Sequence, residues 1–166
     1  MDKYYYLASQ LPFLRFADRT HLDSKSFLKE AEKWLCVGDF SILSGVNLND
    51  FSLKPQDPTV LKAYKEFELG LRESFSLWRK SRKEGSEERV SAFPLSLVKE
   101  GTPLEAETRL LHWRWKFIEE KEEGHYFDLT FLIIYLLKLQ ILERLFTFDK
   151  EKGRKKFEEL CKVSYA

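Results

Sequence analysis

The chain has 166 residues, enough for one domain that buries its apolar surface without covalent staples. It carries 28 Lys and Arg against 27 Asp and Glu, a formal charge of +1, and that balance removes the electrostatic motive for sequence-independent nucleic-acid binding. Aromatic residues make up 15% of the chain, so the core or an interface must be built from large, rigid side chains.

The first 44 residues read as short helices. Tyr4 to Leu11 fits a helix stopped by Pro12 or a strand, since Tyr-Tyr-Tyr has strand propensity; helix is favoured because no second strand of comparable quality exists to pair with it. Ser24 is placed to cap a helix whose buried face is Phe27, Leu28, Ala31, Trp34 and Leu35, ending at Gly38. Asp39 to Leu43 adds a further turn or two. Residues 45–56 and 85–101, rich in Gly, Ser, Pro and Asn, are expected as loops, with Phe93-Pro94-Leu95 folded back onto the core.

Four longer elements follow. Over 57–84, Asp57 precedes Pro58 as a capping carboxylate before a proline at the first helical position. Val60, Leu61, Tyr64, Phe67, Leu71, Phe75 and Trp78 then form one apolar stripe, and Gly85-Ser86 ends the helix. Over 102–123, Thr102-Pro103-Leu104-Glu105 is a capping box, with Leu104, Leu111, Trp115 and Ile118 on one face and Gly124 closing the helix. The third helix, 128–147, begins at Asp128; its first half is apolar on almost every side, which marks a central helix touched by several others. Its run from Leu129 to Leu137 is too short for a bilayer, which takes about 20 apolar residues. Asp149 can cap a terminal helix over 149–163 carrying Phe157, Leu160 and Cys161, weakened in its first turn by Gly153. The predicted fold is all-α, a compact multi-helix bundle forming a single domain.

Little in the chain points to chemistry. The three histidines, His21, His112 and His125, show no metal-ligand spacing, there is no HExxH, and no glycine-rich phosphate loop exists. His112 reads as a core-edge or interface histidine, and His125 as part of a helix-start loop. Cys36 and Cys161 lack any CxxC partner and are expected as buried free thiols in a reducing compartment. No catalytic residue, metal or cofactor is expected. The opening Met1-Asp2-Lys3-Tyr4 lacks the regions of a signal peptide, so a cytoplasmic place is expected.

Charge runs have plain readings first. Arg79-Lys80-Ser81-Arg82-Lys83 suits a solvated helix C-terminus, where cations favour the dipole; an acidic protein partner is the other reading. Glu119 to Glu123 reads as a solvated face. Tyr135, Lys138, Gln140, Glu143 and Arg144 emerge where the apolar helix loses its all-round burial, and Arg109, Trp113 and Arg114 form a comparable set on the preceding helix. Both sets fit either local ion pairing or a docking surface, because Arg and aromatic residues are enriched at interface hot spots.

The opening Tyr4-Tyr5-Tyr6-Leu7-Ala8-Ser9-Gln10-Leu11-Pro12 and the stretch from Tyr126-Phe127-Asp128-Leu129 through Tyr135 to Arg144 resemble a bacterial family encoded among the subunits of V-type (A/V-type) ATPases. The similarity continues through Phe148-Asp149-Lys150-Glu151-Lys152-Gly153. What the resemblance implies is a relative of the C subunit (eukaryotic d subunit). That subunit is an all-helical socket joining the central stalk to the membrane rotor, with no active site and other ATPase subunits as its partners. It also implies a place at the cytoplasmic face of the membrane through the complex. This chain is much shorter than a full socket of repeated helical units. Two rival classes stand beside it: a helical cytoplasmic chaperone for redox-enzyme maturation, and a small helical enzyme using Glu107, His112 or His125.

Overall fold

The computed structural model describes residues 2–85 and 101–161. They form seven helices and no strand: α1 (Asp2–Gln10), α2 (Ser24–Trp34), α3 (Val37–Ser44), α4 (Thr59–Glu84), α5 (Pro103–Glu120), α6 (Leu129–Phe146) and α7 (Lys150–Cys161). The all-α expectation therefore holds, and Tyr4 to Gln10 is helical. The loop expected at 86–100, with Phe93-Pro94-Leu95, lies outside the described residues.

The bundle is organised around α6. Every residue from Leu132 to Leu139 is buried, which for a helix means neighbours on all sides. Those neighbours are α2, α3, α4 and α5. Phe27 and Ala31 of α2, Leu43 of α3, Val60, Leu61 and Tyr64 of α4, and Leu111, Trp115 and Ile118 of α5 complete one core. Leu7 of α1 and Leu14 just beyond it close its remaining side. Among the described residues no helix is long and apolar enough to cross a membrane.

Helix starts follow local chemistry. Thr102 and Glu105 form the expected capping box, with Pro103 opening the helix. The Asp128 carboxylate accepts the Phe131 N–H at 2.8 Å, and Asp149 accepts the N–H groups of Glu151 and Lys152. Gly85 ends α4 in the left-handed conformation that suits glycine.

Several boundaries differ from expectation, each for a physical reason. Asp23, not Ser24, caps α2, because its carboxylate reaches the Ser26 N–H at 2.7 Å. The Ser24 hydroxyl and N–H turn instead to Glu143. The α2 helix stops at Trp34, where Leu35 turns extended, rather than at Gly38. Trp34 is exposed at that last turn; its indole N–H donates to Glu30 and its ring stacks on Tyr6. Asp57 does not cap α4, since Pro58 takes that position and the Asp57 carboxylate is held by Lys65 and the Lys54 N–H. Gly124 lies beyond the end of α5, which stops at Glu120. Both cysteines are exposed, not buried: Cys36 caps α3 in the gap between helices, and Cys161 sits on α7, a helix that buries no residue.

Candidate protein-interaction site

The eight side chains singled out on α5 and α6 fall into three places. At the α4–α5 seam, Trp113 packs edge-on against Phe67 at 5.0 Å, while Arg114 grips the carboxylate of Glu68 through both Nε and Nη2. The Glu68 side chain is only 1% exposed. Burial pulls the Arg114 pKa down, but the Glu68 hydrogen bond and charge outweigh it, leaving the guanidinium's pKa raised. Arg109 is half-buried earlier on the same helix.

Deeper in, Tyr135 and Lys138 are buried and bonded within the chain. The Tyr135 hydroxyl donates to the Pro12 carbonyl at 2.9 Å, and burial pushes its pKa up. Lys138 pairs with Glu122, and its ammonium lies 5.2 Å from the Trp115 ring centre. A cavity of about 130 Å³ lies beside them, walled by Leu11, Pro12 and Phe131. The acidic run at 119–123 is thus not wholly a solvated face, because Glu122 is the counter-ion of a buried lysine.

Gln140, Glu143 and Arg144 line a cleft of about 580 Å³, together with Asp23, Asn47 and Thr147. The Gln140 amide accepts the Leu48 N–H at 2.6 Å and donates to the Val46 carbonyl at 3.0 Å, so it fastens the 45–58 loop to α6. Glu143 accepts both the Ser24 N–H and its hydroxyl, and Arg144 donates to Glu107 at 2.8 Å. Among these eight residues, then, five on α6 join that helix to other parts of the fold, and Glu143 and Arg144 also remain exposed.

Sequence reasoning missed a second network that fixes the same loop. Lys65 of α4 is buried and donates to the Asp57 carboxylate and the Ser52 carbonyl, both at 2.7 Å, with Asp50 at 3.6 Å. Its place beside Tyr64 and one turn after Leu61, both on the buried face of α4, was the available signal. Of the residues weighed for catalysis, Glu107 pairs with Arg144, His112 is exposed and stacked on Phe16 at 4.5 Å, and His125 Nδ1 lies 2.5 Å from Asp128. No group of three or more His, Cys, Asp or Glu gathers as metal ligands among the described residues.

The exposed feature that sequence spacing did not reveal is aromatic. Tyr5 packs on Phe127 at 5.0 Å, Tyr6 stacks on Trp34 at 5.6 Å, and Tyr5 meets Tyr6 edge-on at 6.1 Å. All four are exposed, as is Tyr126 beside Phe127. The turn before α6 and two helices from the first third of the chain thereby present one aromatic face.

A family described as a protein of unknown function (DUF2764) matches residues 86–164, just under half of the chain. Among described residues that match takes in α5, α6 and α7. No curated protein matches the chain, and no solved structure matches it.

Proposed function

We propose that this chain is a non-catalytic subunit or accessory protein of a V-type (A/V-type) ATPase, similar to its C/d subunit, coupling the central stalk to the membrane rotor through protein contacts. The observation that carries the reading is the meeting of the two stretches that resemble that family. Tyr4–Pro12 and Tyr126–Arg144 lie more than a hundred residues apart, yet Tyr135 bonds to Pro12 and Tyr5 packs on Phe127. Their junction displays exposed aromatic side chains, the residue type that supplies rigid anchors at protein interfaces. Exposed aromatic surface of this kind marks an interaction site more often than an idle surface. A passive coupling role also suits the build of the molecule, with α6 enclosed by four helices and its polar side chains joined to its neighbours.

The test is a pull-down of the tagged chain from native membranes, with the captured subunits identified. Stalk or rotor subunits of the ATPase are expected in the eluate. A Tyr5→Ala/Phe127→Ala double variant, altered only at exposed positions, is expected to capture at least about tenfold less, the loss of two hot-spot side chains. Hydrolysis by the separated catalytic head is expected to be unchanged. Capture of a redox-enzyme precursor with no ATPase subunit would replace this reading with the maturation chaperone.

A further inference from the structure

The outer half of α4 carries a charge arrangement that the helix itself does not explain. Arg72, Ser76, Arg79 and Lys83 succeed one another at four, three and four residues, so they share one stripe about 16 Å long at 1.5 Å per residue. That stripe lines a groove of about 610 Å³, with Lys80 beside it, Leu71 on its floor and Arg114 of α5 at its edge. Arg114 is committed to Glu68, and Arg72 lies over the Phe51 ring at 3.7 Å. Arg79, Lys80 and Lys83 form no ion pair with any described residue. Glu84 is one turn beyond Lys80 and does not pair with it.

The helix dipole accounts for part of this only. Its favourable effect on cations falls off within the last turn, which here holds Arg82 and Lys83. Arg72, Arg79 and Lys80 lie outside it. Like charges three and four residues apart, such as Arg79 with Lys83 and Lys80 with Lys83, destabilise a helix. Four cations therefore face one groove against their own repulsion, and among the described residues no carboxylate pairs with Arg79, Lys80 or Lys83.

We infer that this groove receives an acidic helical segment of a partner protein, whose carboxylates pair with Arg72, Arg79, Lys80 and Lys83. A partner helix with acids at the same four-three-four spacing presents them along a matching stripe. Nucleic acid fits less well. The chain as a whole is close to neutral, and a stripe of about 16 Å spans too few phosphates for the six to ten contacts of a typical binder.

The probe is a fluorescein-labelled, alanine-based helical peptide with glutamates at that spacing, titrated with the full chain and followed by anisotropy. Saturable binding is expected at low salt, weakening as salt rises from about 50 to about 200 mM because these charges are exposed. Arg79→Glu/Lys83→Glu is expected to weaken it at least about tenfold by placing like charges together. The milder Arg79→Gln/Lys83→Gln should lose less in the same direction, which separates lost charge from lost folding. Arg154→Glu/Lys155→Glu on α7, equally basic and exposed, should stay within about twofold of the parent. The inference is overturned by an absence of saturable binding, by equal binding of the glutamine peptide, or by an equal loss in the α7 variant. It is also overturned if single-stranded RNA or phosphatidylserine vesicles bind more tightly and suffer the larger loss on α4 substitution. None of these outcomes touches the ATPase reading, which rests on the aromatic face of α1, α2 and the turn before α6.

Discussion

Two buried ion pairs carry different weight because their acidic partners differ in exposure. Glu68 is enclosed with Arg114, whereas Glu122 keeps about a third of its side chain in water while Lys138 is buried. Removing one member of an enclosed pair strands the other charge, at a cost of about 3–5 kcal/mol. Glu68→Ala is accordingly expected to lower the urea midpoint by the equivalent of about 3 kcal/mol, the low end of that range, since Arg114 can turn partly to solvent. Lys138→Met should stay within about 1 kcal/mol of the parent, because Glu122 rehydrates and a thioether packs well on the Trp115 ring. Equal losses in the two variants would show that exposure of the acid does not set the difference. At this scale the sequence is only half legible. Glu68 and Lys65 interrupt an apolar stripe, which marks them as buried polar groups. The partners of Glu68 and of Glu143 depend on chain reversals that no local pattern encodes: Arg114 is 46 residues from Glu68, and Ser24 is 119 from Glu143.

Elements were far more readable, because capping and periodicity act over a few residues. The capping box at Thr102, the caps at Asp128 and Asp149 and the all-round apolar run of α6 all formed as the spacing implied. Boundaries failed where two caps competed: Asp23 displaced Ser24, and Asp57 was drawn off by Lys65, a contact from the next helical turns. The terminal helix shows a further limit. Cys161 was expected buried there, yet α7 buries none of its residues. A twelve-residue helix that buries none of its residues is marginal in water, and Gly153 sits at the end of its first turn with open space where a Cβ would go. Gly153→Ala should therefore favour the local helix by about 1 kcal/mol. Amide hydrogen exchange in α7 should slow about fivefold, that energy expressed as an equilibrium ratio, while the global unfolding midpoint stays unchanged. A shift of the global midpoint would mean that α7 is coupled to the core after all.

For the molecule as a whole, acid is the condition that should separate the loop networks from the apolar core. The 45–58 loop is fastened to the bundle by Gln140, which does not titrate, and by carboxylates around Lys65, which do. Asp50 is held down to about 2 by hydrogen bonds from the Ser52 hydroxyl and N–H, with Lys65 and Lys54 adding attraction. For Asp57, burial pushes the carboxyl up, but the Lys65 hydrogen bond and the Lys54 N–H together bring it below its ordinary value. A carboxylate whose pKa is lower folded than unfolded stabilises the fold above its unfolded value, and that contribution disappears as pH falls through the folded value. The window here runs from about 4 down to about 2. Protonating Asp57 also leaves the buried Lys65 ammonium with the Ser52 carbonyl and the more distant Asp50 carboxylate, so the loss should fall on the loop before the core. The thermal midpoint should thus be flat from pH 7 to about 5 and decline below about 4. Asp57→Asn should start lower at neutral pH and decline less, so that the two curves converge in acid, below the ordinary carboxylate range. Parallel curves would assign the acid loss to general charge repulsion among the basic side chains, and would remove the Lys65 cluster from the account.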